Sequence, residues 1–205
     1  MTKKIYITRH GQTDYNLKGI VQGSGIDADL NETGIAQGLA FYDRFKDHPF
    51  DKLYISALKR TAQSMKGFID AGIDYEVIPE LNEISWGDRE GVPIDERNEQ
   101  YYQQMIKNWQ DGHTDMGIAG GESPDEVAAR LKVGMEKIME NTDEQEILIC
   151  MHGRSMRVLL TVLLNYPVST MDLFPHKNLC LYELTYTGSM FRLDKANDTS
   201  HLDHL

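Results

Sequence analysis

The sequence predicts an α/β fold in which a mostly parallel sheet is covered by helices on both faces. Short segments rich in apolar and β-branched residues alternate along the chain with longer segments whose apolar residues recur every three or four positions. Strands that alternate with helices in this way form parallel sheets, because each helix crosses back over the sheet. The length of 205 residues fits one domain, spanning residues 1–205.

The first half of the chain contains three predicted strands and two predicted helices. The strands lie at 3–8, 51–56 and 74–79, and the helices lie at 32–46 and 58–72. Asn31 is a suitable N-cap for the first helix, because its side chain can accept a hydrogen bond from a free backbone amide. Gly72 is expected to end the second helix, since glycine readily adopts the left-handed conformation that follows a helix.

The second half begins with a long predicted helix. Ser123 is its expected N-cap, Pro124 occupies the first helical position, and Glu126 completes a capping box. Apolar residues then recur at helical spacing, at Val127, Leu131, Met135 and Ile138. The remaining predicted elements are a strand at 146–151, a helix at 154–165, and two closing strands at 178–186 and 189–194.

The segment at about 85–122 differs from the rest of the chain. It is long and polar, has no strand pattern, and carries the aromatic residues Trp86, Tyr101, Tyr102 and Trp109. These features predict an insertion, or lid, packed over one end of the sheet. Its last residues, "GGES", are expected mainly to start the following helix, although Glu122 could also reach a site at this end.

The C-terminal residues 194–205 are polar and are predicted to be loose. His201 and His204 lie there near Asp198 and Asp203, a combination that could also suggest a metal site. A disordered tail is the preferred interpretation, so no metal site is predicted.

Composition excludes several classes of partner. The chain has 21 Lys and Arg against 32 Asp and Glu, and a net charge of −11 disfavours nucleic acid and anionic membranes as main partners. No apolar segment is long enough to span a membrane, and the N-terminus has no signal-peptide core. Cys150 and Cys180 lie in apolar, strand-like segments, which favours buried free thiols in a reducing cytoplasm.

Unusual side chains follow four of the predicted strands. The first strand ends in Arg9 and His10, and Arg60 follows the second. Glu83 follows the third strand, and His152 follows the strand at 146–151. Since the carboxyl ends of parallel strands meet at one edge of a sheet, these five side chains are predicted to converge there.

This combination of side chains suits phosphoryl transfer. A guanidinium group matches phosphate oxygens in pairs and offsets the charge on a transferring phosphoryl group. A histidine can act as the nucleophile, and nearby positive charge lowers its pKa and keeps it neutral. A carboxylic acid can protonate the leaving alcohol and then take a proton from water.

The ordered motifs resemble those of the histidine phosphatase superfamily, the phosphoglycerate mutase-like group. They are "TRHGQTDYN", "VQGSGIDADLNETG", "SALKRT", "LNEISWGDREG", "GGES" and "MHGRSMR". The resemblance extends from residue 5 to about residue 184. It implies a three-layer α/β/α sandwich, as well as chemistry that needs no metal and no organic cofactor.

The resemblance also implies roles for matching residues. His10 would be the nucleophile that becomes phosphohistidine, Arg9, Arg60 and His152 would hold the phosphoryl group, and Glu83 would donate and accept the proton. Asn16 and Gln22 would add donors to phosphate oxygens, and Gly23 and Gly153 belong to the same predicted substrate site. Three alternatives remain at this point: Glu80 as the acid, Asn16 as a turn cap, and Gln22 as a solvated loop residue.

Departures from the family pattern favour hydrolysis of a small phosphorylated metabolite over mutase activity. Ile84 follows Glu83 where mutases have an arginine, and residues 98–129 contain one basic side chain, Lys107, besides His113. The motif "HGRSMR", in contrast, is closer to that of the mutases, and its Arg154 could reach the rim of the site. Arg89 is expected either to contact a second anionic group on the substrate or to be a solvated turn residue.

The alternative functions are therefore phosphoglycerate mutase and, with less support, a catalytically silent phosphate-binding or interaction module. The intact set of strand-end residues argues against the silent module. The sequence does not specify the physiological substrate or the oligomeric state.

Overall fold

A six-stranded sheet forms the centre of the protein in the computed structural model, which describes residues 2–93 and 96–205. The strands are β1 (Lys3–Arg9), β2 (Lys52–Ile55), β3 (Tyr75–Val77), β4 (Glu146–Met151), β5 (Leu181–Tyr186) and β6 (Phe191–Asp198). Their order in the sheet is β3-β2-β4-β1-β5-β6. The first four strands in this order are mutually parallel, whereas β5 is antiparallel to β1 and β6 is antiparallel to β5. The predicted mostly parallel sheet is confirmed.

Helices cover both faces of this sheet. They are α1 (Asp14–Leu17), α2 (Glu32–Phe45), α3 (Lys59–Ser64), α4 (Lys66–Asp70), α5 (Glu96–Gln110), α6 (Pro124–Glu140) and α7 (Gly153–Leu163). Short 3₁₀ turns lie at Pro79–Leu81, Gly87–Arg89, Val168–Leu173 and Ser200–Leu202.

Apolar side chains on the two faces of the sheet form two hydrophobic cores. Ile7 of β1 packs in one core with Leu131 of α6 and Leu159 of α7. Tyr6, the preceding residue, belongs to the other core, with Phe41 of α2 and Phe68 of α4 among its members. Because successive side chains of a strand point to opposite faces, each face of the sheet is sealed by its own set of helices. The three-layer α/β/α architecture is confirmed.

The predicted helix starts are also present. The Asn31 side chain accepts a hydrogen bond from the Gly34 amide at 2.9 Å, at the start of α2. At the start of α6, Ser123 Oγ accepts from the Glu126 amide and Glu126 Oε2 accepts from the Ser123 amide, which completes the capping box.

Two predicted elements differ in the structure: one helix is divided in two, and one strand starts later than predicted. The helix predicted at 58–72 divides into α3 and α4 at Met65, whose backbone (φ −98°, ψ 11°) departs from helical geometry while its side chain is fully buried. The last predicted strand pair begins later than expected, because Leu179 has a φ of 53°, a left-handed conformation that cannot belong to a strand. Strand β5 therefore starts at Leu181.

The prediction of a loose C-terminal tail is wrong. Strand β6 extends to Asp198, and a 3₁₀ turn follows at Ser200–Leu202. His201 is 6% exposed, and its ring makes an edge contact with Phe41, with ring centroids 5.1 Å apart. This polar segment is ordered because α2 offers it an aromatic surface, which the sequence of the tail does not reveal.

The segment predicted as an insertion contributes to the main core. Trp109 of α5 is fully buried, and its Nε1 donates to the Met116 carbonyl at 2.7 Å. Trp86 and Ile118 belong to the same core. Residues 94 and 95 of the predicted insertion lie outside the described residues. Within the described ranges, the helices are too short or too polar to cross a lipid bilayer.

Candidate active site

Sheet topology brings the predicted side chains together at one edge. Strands β1 and β4 are parallel neighbours, and Arg9 pairs with Met151 at their carboxyl ends. His10 and His152 follow these strands directly, and their ring centroids lie 5.1 Å apart. Arg60 enters from α3, which follows β2 on the other side of β4.

The immediate contacts of His10 define its protonation. The ring is buried, and its Nδ1 lies 2.7 Å from the Gly11 carbonyl oxygen. Because a carbonyl oxygen only accepts, Nδ1 carries the hydrogen. Burial, together with the charges of Arg9 and Arg60, holds the pKa of His10 well below its usual range. The ring is therefore neutral and Nε2 carries the lone pair.

Arg60 and His152 form a buried pair next to His10. Arg60 Nε donates to His152 Nδ1 at 3.2 Å, and His152 Nε2 lies 2.7 Å from Ser56 Oγ. Burial and neighbouring guanidinium groups lower the pKa of His152 well below its usual range, and burial lowers that of Arg60 to about 10. Both ring nitrogens of His152 thus have protein partners. Direct contact of His152 with a phosphoryl group, as the sequence predicts, would require one of these hydrogen bonds to be exchanged.

The two candidate acids are clearly separated. Glu83 is 6% exposed, and its carboxylate accepts hydrogen bonds from the Arg154 and Ser155 amides at 3.0 and 2.8 Å, in the first turn of α7. Glu80 instead forms a salt bridge with Lys137 on α6. The structure therefore places Glu83, and not Glu80, at the site.

A cavity of about 310 Å³ opens next to these residues. It is lined by five of the predicted site residues, namely Arg9, Asn16, Gln22, Glu83 and Gly153. Arg154 also lines it. The remaining lining residues were not predicted as site residues; they are Tyr15, Gly19, Ile20, Val21, Trp86, Tyr102, His176 and Asn178.

Two side chains along the cavity, Gln22 and Arg9, have a nitrogen without a hydrogen-bond partner among the described residues. Gln22 Oε1 accepts from Thr13 Oγ1 at 2.8 Å, whereas Gln22 Nε2 is buried without a hydrogen-bond partner in the described part of the chain. The same is true of Arg9 Nε. Asn16 Oδ1 accepts from the Thr13 amide and from Asn178 Nδ2. Asn16 therefore caps a turn, one of its predicted alternatives, and also lines the cavity.

The two predicted glycines have different roles. The Gly23 carbonyl accepts from Arg60 at 3.3 Å, and a Cβ at this position would lie 2.2 Å from Glu90 Oε1. Gly23 thus supports Arg60 and does not line the cavity. Gly153 does line it, as the first residue of α7.

Arg154 and Arg89 are both engaged with protein groups. Arg154 NH1 pairs with Asp172 at 2.6 Å, and its NH2 donates to Tyr102 OH at 3.2 Å. The guanidinium carbon of Arg89 lies 3.9 Å from the centroid of the Tyr101 ring, and Arg89 does not line the cavity. Arg89 instead lines a smaller neighbouring pocket, which shares Val21, Trp86 and Tyr102 with this cavity.

Glu122 has a structural partner as well. Its carboxylate accepts from the Ser85 amide at 2.8 Å and forms a salt bridge with Arg130. It joins the start of α6 to the segment that follows Glu83. Among the described residues, no three His, Cys, Asp or Glu side chains are grouped so that they could hold a metal ion.

Sequence reasoning missed His176 and Asn178, which precede β5. Asn178 Nδ2 donates to the His10 carbonyl at 3.0 Å, and His176 Nδ1 lies 3.0 Å from Arg9 NH1. The next residue, Leu179, has the left-handed backbone noted above, and its amide donates to the Arg9 carbonyl. The only signal in the sequence is a polar "HKN" at the start of an apolar strand.

Comparisons with known proteins show the family of this chain. The family model of the histidine phosphatase superfamily (branch 1) matches residues 5–199. A protein of Yersinia pestis named as a probable phosphoglycerate mutase, GpmB, is 30% identical over 209 residues, which cover 98% of this chain and 95% of that protein.

Solved structures show the same fold. A mycobacterial glucosyl-3-phosphoglycerate phosphatase has a TM-score of 0.86 and 24% identity, over 96% of this chain and 100% of its own. The alpha-ribazole phosphatase of Shigella flexneri has a TM-score of 0.82 and 23% identity, over 95% and 96% of the two chains. At these identities the likeness concerns the fold.

Proposed function

The chain belongs to the histidine phosphatase superfamily, branch 1, a superfamily of phosphatases and mutases, and we propose that it hydrolyses a small phosphomonoester through a phosphohistidine at His10. The observation that carries this proposal is the state of His10. Its ring is neutral, its Nδ1 hydrogen is fixed on the Gly11 carbonyl, and its Nε2 lone pair lies among buried guanidinium groups.

The proposed reaction has two steps. His10 Nε2 attacks phosphorus, the bond from phosphorus to the ester oxygen breaks, and Glu83 gives its proton to the departing alcohol. Glu83 then takes a proton from water as the water oxygen attacks the phosphohistidine, which releases inorganic phosphate and restores His10. Arg9 and Arg60 supply positive charge to the phosphoryl oxygens, and no metal ion is invoked.

The residues around this centre assist. Gln22 Nε2 and the side-chain amide of Asn16, which lines the cavity, would donate to phosphoryl oxygens. His152 is proposed to hold Arg60 in place and to contact the phosphoryl group only after exchanging a hydrogen bond.

Phosphatase activity is favoured over mutase activity by the state of the nearby cations. A mutase must retain a bisphosphate while it reorients, which requires cationic side chains beyond the transferring phosphoryl group. Arg154 is bound to Asp172 and Tyr102, Arg89 stacks on Tyr101, and Lys107 pairs with Asp111. The second candidate is phosphoglycerate mutase, supported by the 30% identity to the Yersinia protein.

A catalytically silent binding module is the weakest of the three alternatives, because the nucleophile, the acid and both guanidinium groups are present together. We also propose a cytoplasmic location. Cys150 and Cys180 are both free and buried, as suits a reducing compartment.

The test is rapid quenching with labelled substrate in the presence of a metal chelator. We expect a label on the wild type that is labile in acid and stable in base, and no label on His10→Ala. His204→Ala, which alters an exposed histidine, is the matched control and should label normally. An acid-stable label, or labelling that persists in His10→Ala, would refute the proposal.

A second assay separates phosphatase from mutase. The enzyme is incubated with 3-phosphoglycerate, with and without catalytic 2,3-bisphosphoglycerate, alongside a panel of other phosphomonoesters. We expect phosphate release from some phosphomonoester to exceed isomerisation. Fast primer-dependent formation of 2-phosphoglycerate, with negligible phosphate release from any substrate, would support the mutase instead.

A further inference from the structure

His176 lies beside Arg9 in the wall of the cavity, on the segment that leads into β5. Its Nδ1 is 3.0 Å from Arg9 NH1. A guanidinium group has only donors, so Nδ1 must accept and cannot carry a hydrogen. In the described part of the chain, this nitrogen is the only hydrogen-bond acceptor of the Arg9 side chain.

The tautomer of His176 is also fixed. Burial and the charges of Arg9, Arg157 and Arg154 lower the pKa of His176 to about 2. The ring is therefore neutral through the range in which phosphatases work, and its single hydrogen is on Nε2. His176 thus combines a neutral acceptor, directed at Arg9, with one N–H donor.

Close packing leaves the ring little freedom. A Cβ on Gly153 would lie 3.1 Å from His176 Cε1 and 3.3 Å from Arg9 Nε, so both side chains press against the start of α7. The segment itself is anchored nearby, because Arg157 Nε donates to the Phe174 carbonyl at 2.9 Å. The position of Nδ1 is set by the fold and not by a mobile side chain.

We propose that His176 is a positioning residue that orients the Arg9 guanidinium without neutralising it. A carboxylate is the usual partner of a buried arginine, but it would offset the charge that a phosphoryl group needs. A neutral imidazole fixes the direction of the remaining N–H donors and leaves the full positive charge available. This inference rests on the proposed function, since it assigns Arg9 to the phosphoryl group.

Three variants of the full chain separate orientation from charge. His176→Gln retains a neutral acceptor, His176→Leu removes the acceptor, and His176→Glu offers an acceptor with a negative charge. With p-nitrophenyl phosphate, we expect His176→Gln to keep kcat/KM within about threefold of the wild type and His176→Leu to lose about 100-fold, because a misplacement of about 1 Å costs that much. His176→Glu should weaken inhibition by inorganic phosphate by about tenfold or more.

The pH profile distinguishes positioning from proton transfer. Because the ring is neutral throughout, the wild type and His176→Gln should have the same limbs in the dependence of kcat/KM on pH. Loss of a limb in His176→Gln would identify a proton donor or acceptor, and equal losses in His176→Gln and His176→Leu would show that a neutral acceptor does not preserve activity. Either result would overturn the inference.

Folding is checked by circular dichroism, and Gly153→Ala supplies a second perturbation, because its Cβ would crowd the His176 ring and the Arg9 side chain without removing either. We expect Gly153→Ala to lower kcat/KM in the same direction as His176→Leu. A folded His176→Leu protein with wild-type kinetics would overturn the inference. If the wild type also forms no phosphohistidine, the proposed function fails; if it does form one, only the role of His176 fails.

Discussion

Replacing Gly34 by alanine should damage catalysis although Gly34 lies outside the cavity. Gly34 is in the first turn of α2 and faces the backbone that follows His10. A Cβ there would lie 2.1 Å from the Gln12 carbonyl oxygen and 2.7 Å from its nitrogen. Ordinary van der Waals contact begins at 3.4 Å, so the Cβ would be 1.3 Å too close to this oxygen. The atoms that would have to move belong to the backbone.

We expect this displacement to reach His10. The Gln12 carbonyl already accepts from the Asn31 amide at 3.0 Å, so the loop cannot move freely. Gln12 adjoins Gly11, whose carbonyl orients His10. A shift of about 1 Å in a catalytic group can lower the rate about 100-fold, and we expect that loss in kcat/KM. The overpacking should also lower the free energy of unfolding by about 1–3 kcal/mol.

The assay combines kcat/KM for p-nitrophenyl phosphate with urea unfolding. Gly72→Ala is the matched control: Gly72 has a φ of 87°, and its Cβ would meet no heavy atom within 4 Å. We expect this control to lose about 1 kcal/mol of stability through backbone strain and to keep full activity. If Gly34→Ala retains more than about a third of the wild-type kcat/KM, the coupling between α2 and His10 is wrong.

Two further predictions concern proton transfer and stability. Glu83→Gln should slow hydrolysis of an alkyl phosphate far more than that of p-nitrophenyl phosphate, whose leaving group needs little protonation; equal losses in kcat would count against Glu83 as the acid. His10, His152 and His176 have pKa values below the usual 6.5, so below that pH the unfolded chain binds protons that the folded protein does not. The free energy of unfolding should therefore fall as pH drops below 6.5, by up to about 1.4 kcal/mol per pH unit for each histidine. Urea unfolding between about pH 5 and about pH 7 measures this slope, and a slope unchanged in His176→Gln would contradict the neutral state of His176.

Topology explains why the sequence predicts part of the site. Arg9, His10 and His152 follow parallel strands, and Arg60 begins the helix after another, so their convergence follows from strand direction alone. Glu83 follows from the same rule, although a 3₁₀ turn intervenes between β3 and this residue.

The same rule misses His176 and Asn178 for a physical reason. Strand β5 is antiparallel to β1, and Leu181 pairs with Thr8, so β5 begins at the edge where β1 ends. Residues that come just before an antiparallel strand therefore lie at the same edge of the sheet as residues that come just after a parallel strand. Their role depends on strand pairing between distant segments, which local pattern does not encode.

The error at the C-terminus has a similar origin. The burial of His201 depends on Phe41 and Phe45, which α2 presents more than 150 residues earlier in the chain. A polar segment can be ordered when a distant surface suits it, and composition alone then gives the wrong answer.

The local bonding of His10 has an evolutionary consequence. The His10 ring is oriented by the carbonyl of the next residue, and Thr13 and Asn16 cap each other within the same short stretch of chain. Much of the cavity wall, including Val21, Trp86 and Tyr102, comes from other segments. On the proposed function, substitutions in that wall would change which alcohol is accepted without disturbing His10, so that substrate preference would diverge among descendants while the chemistry at phosphorus is inherited unchanged.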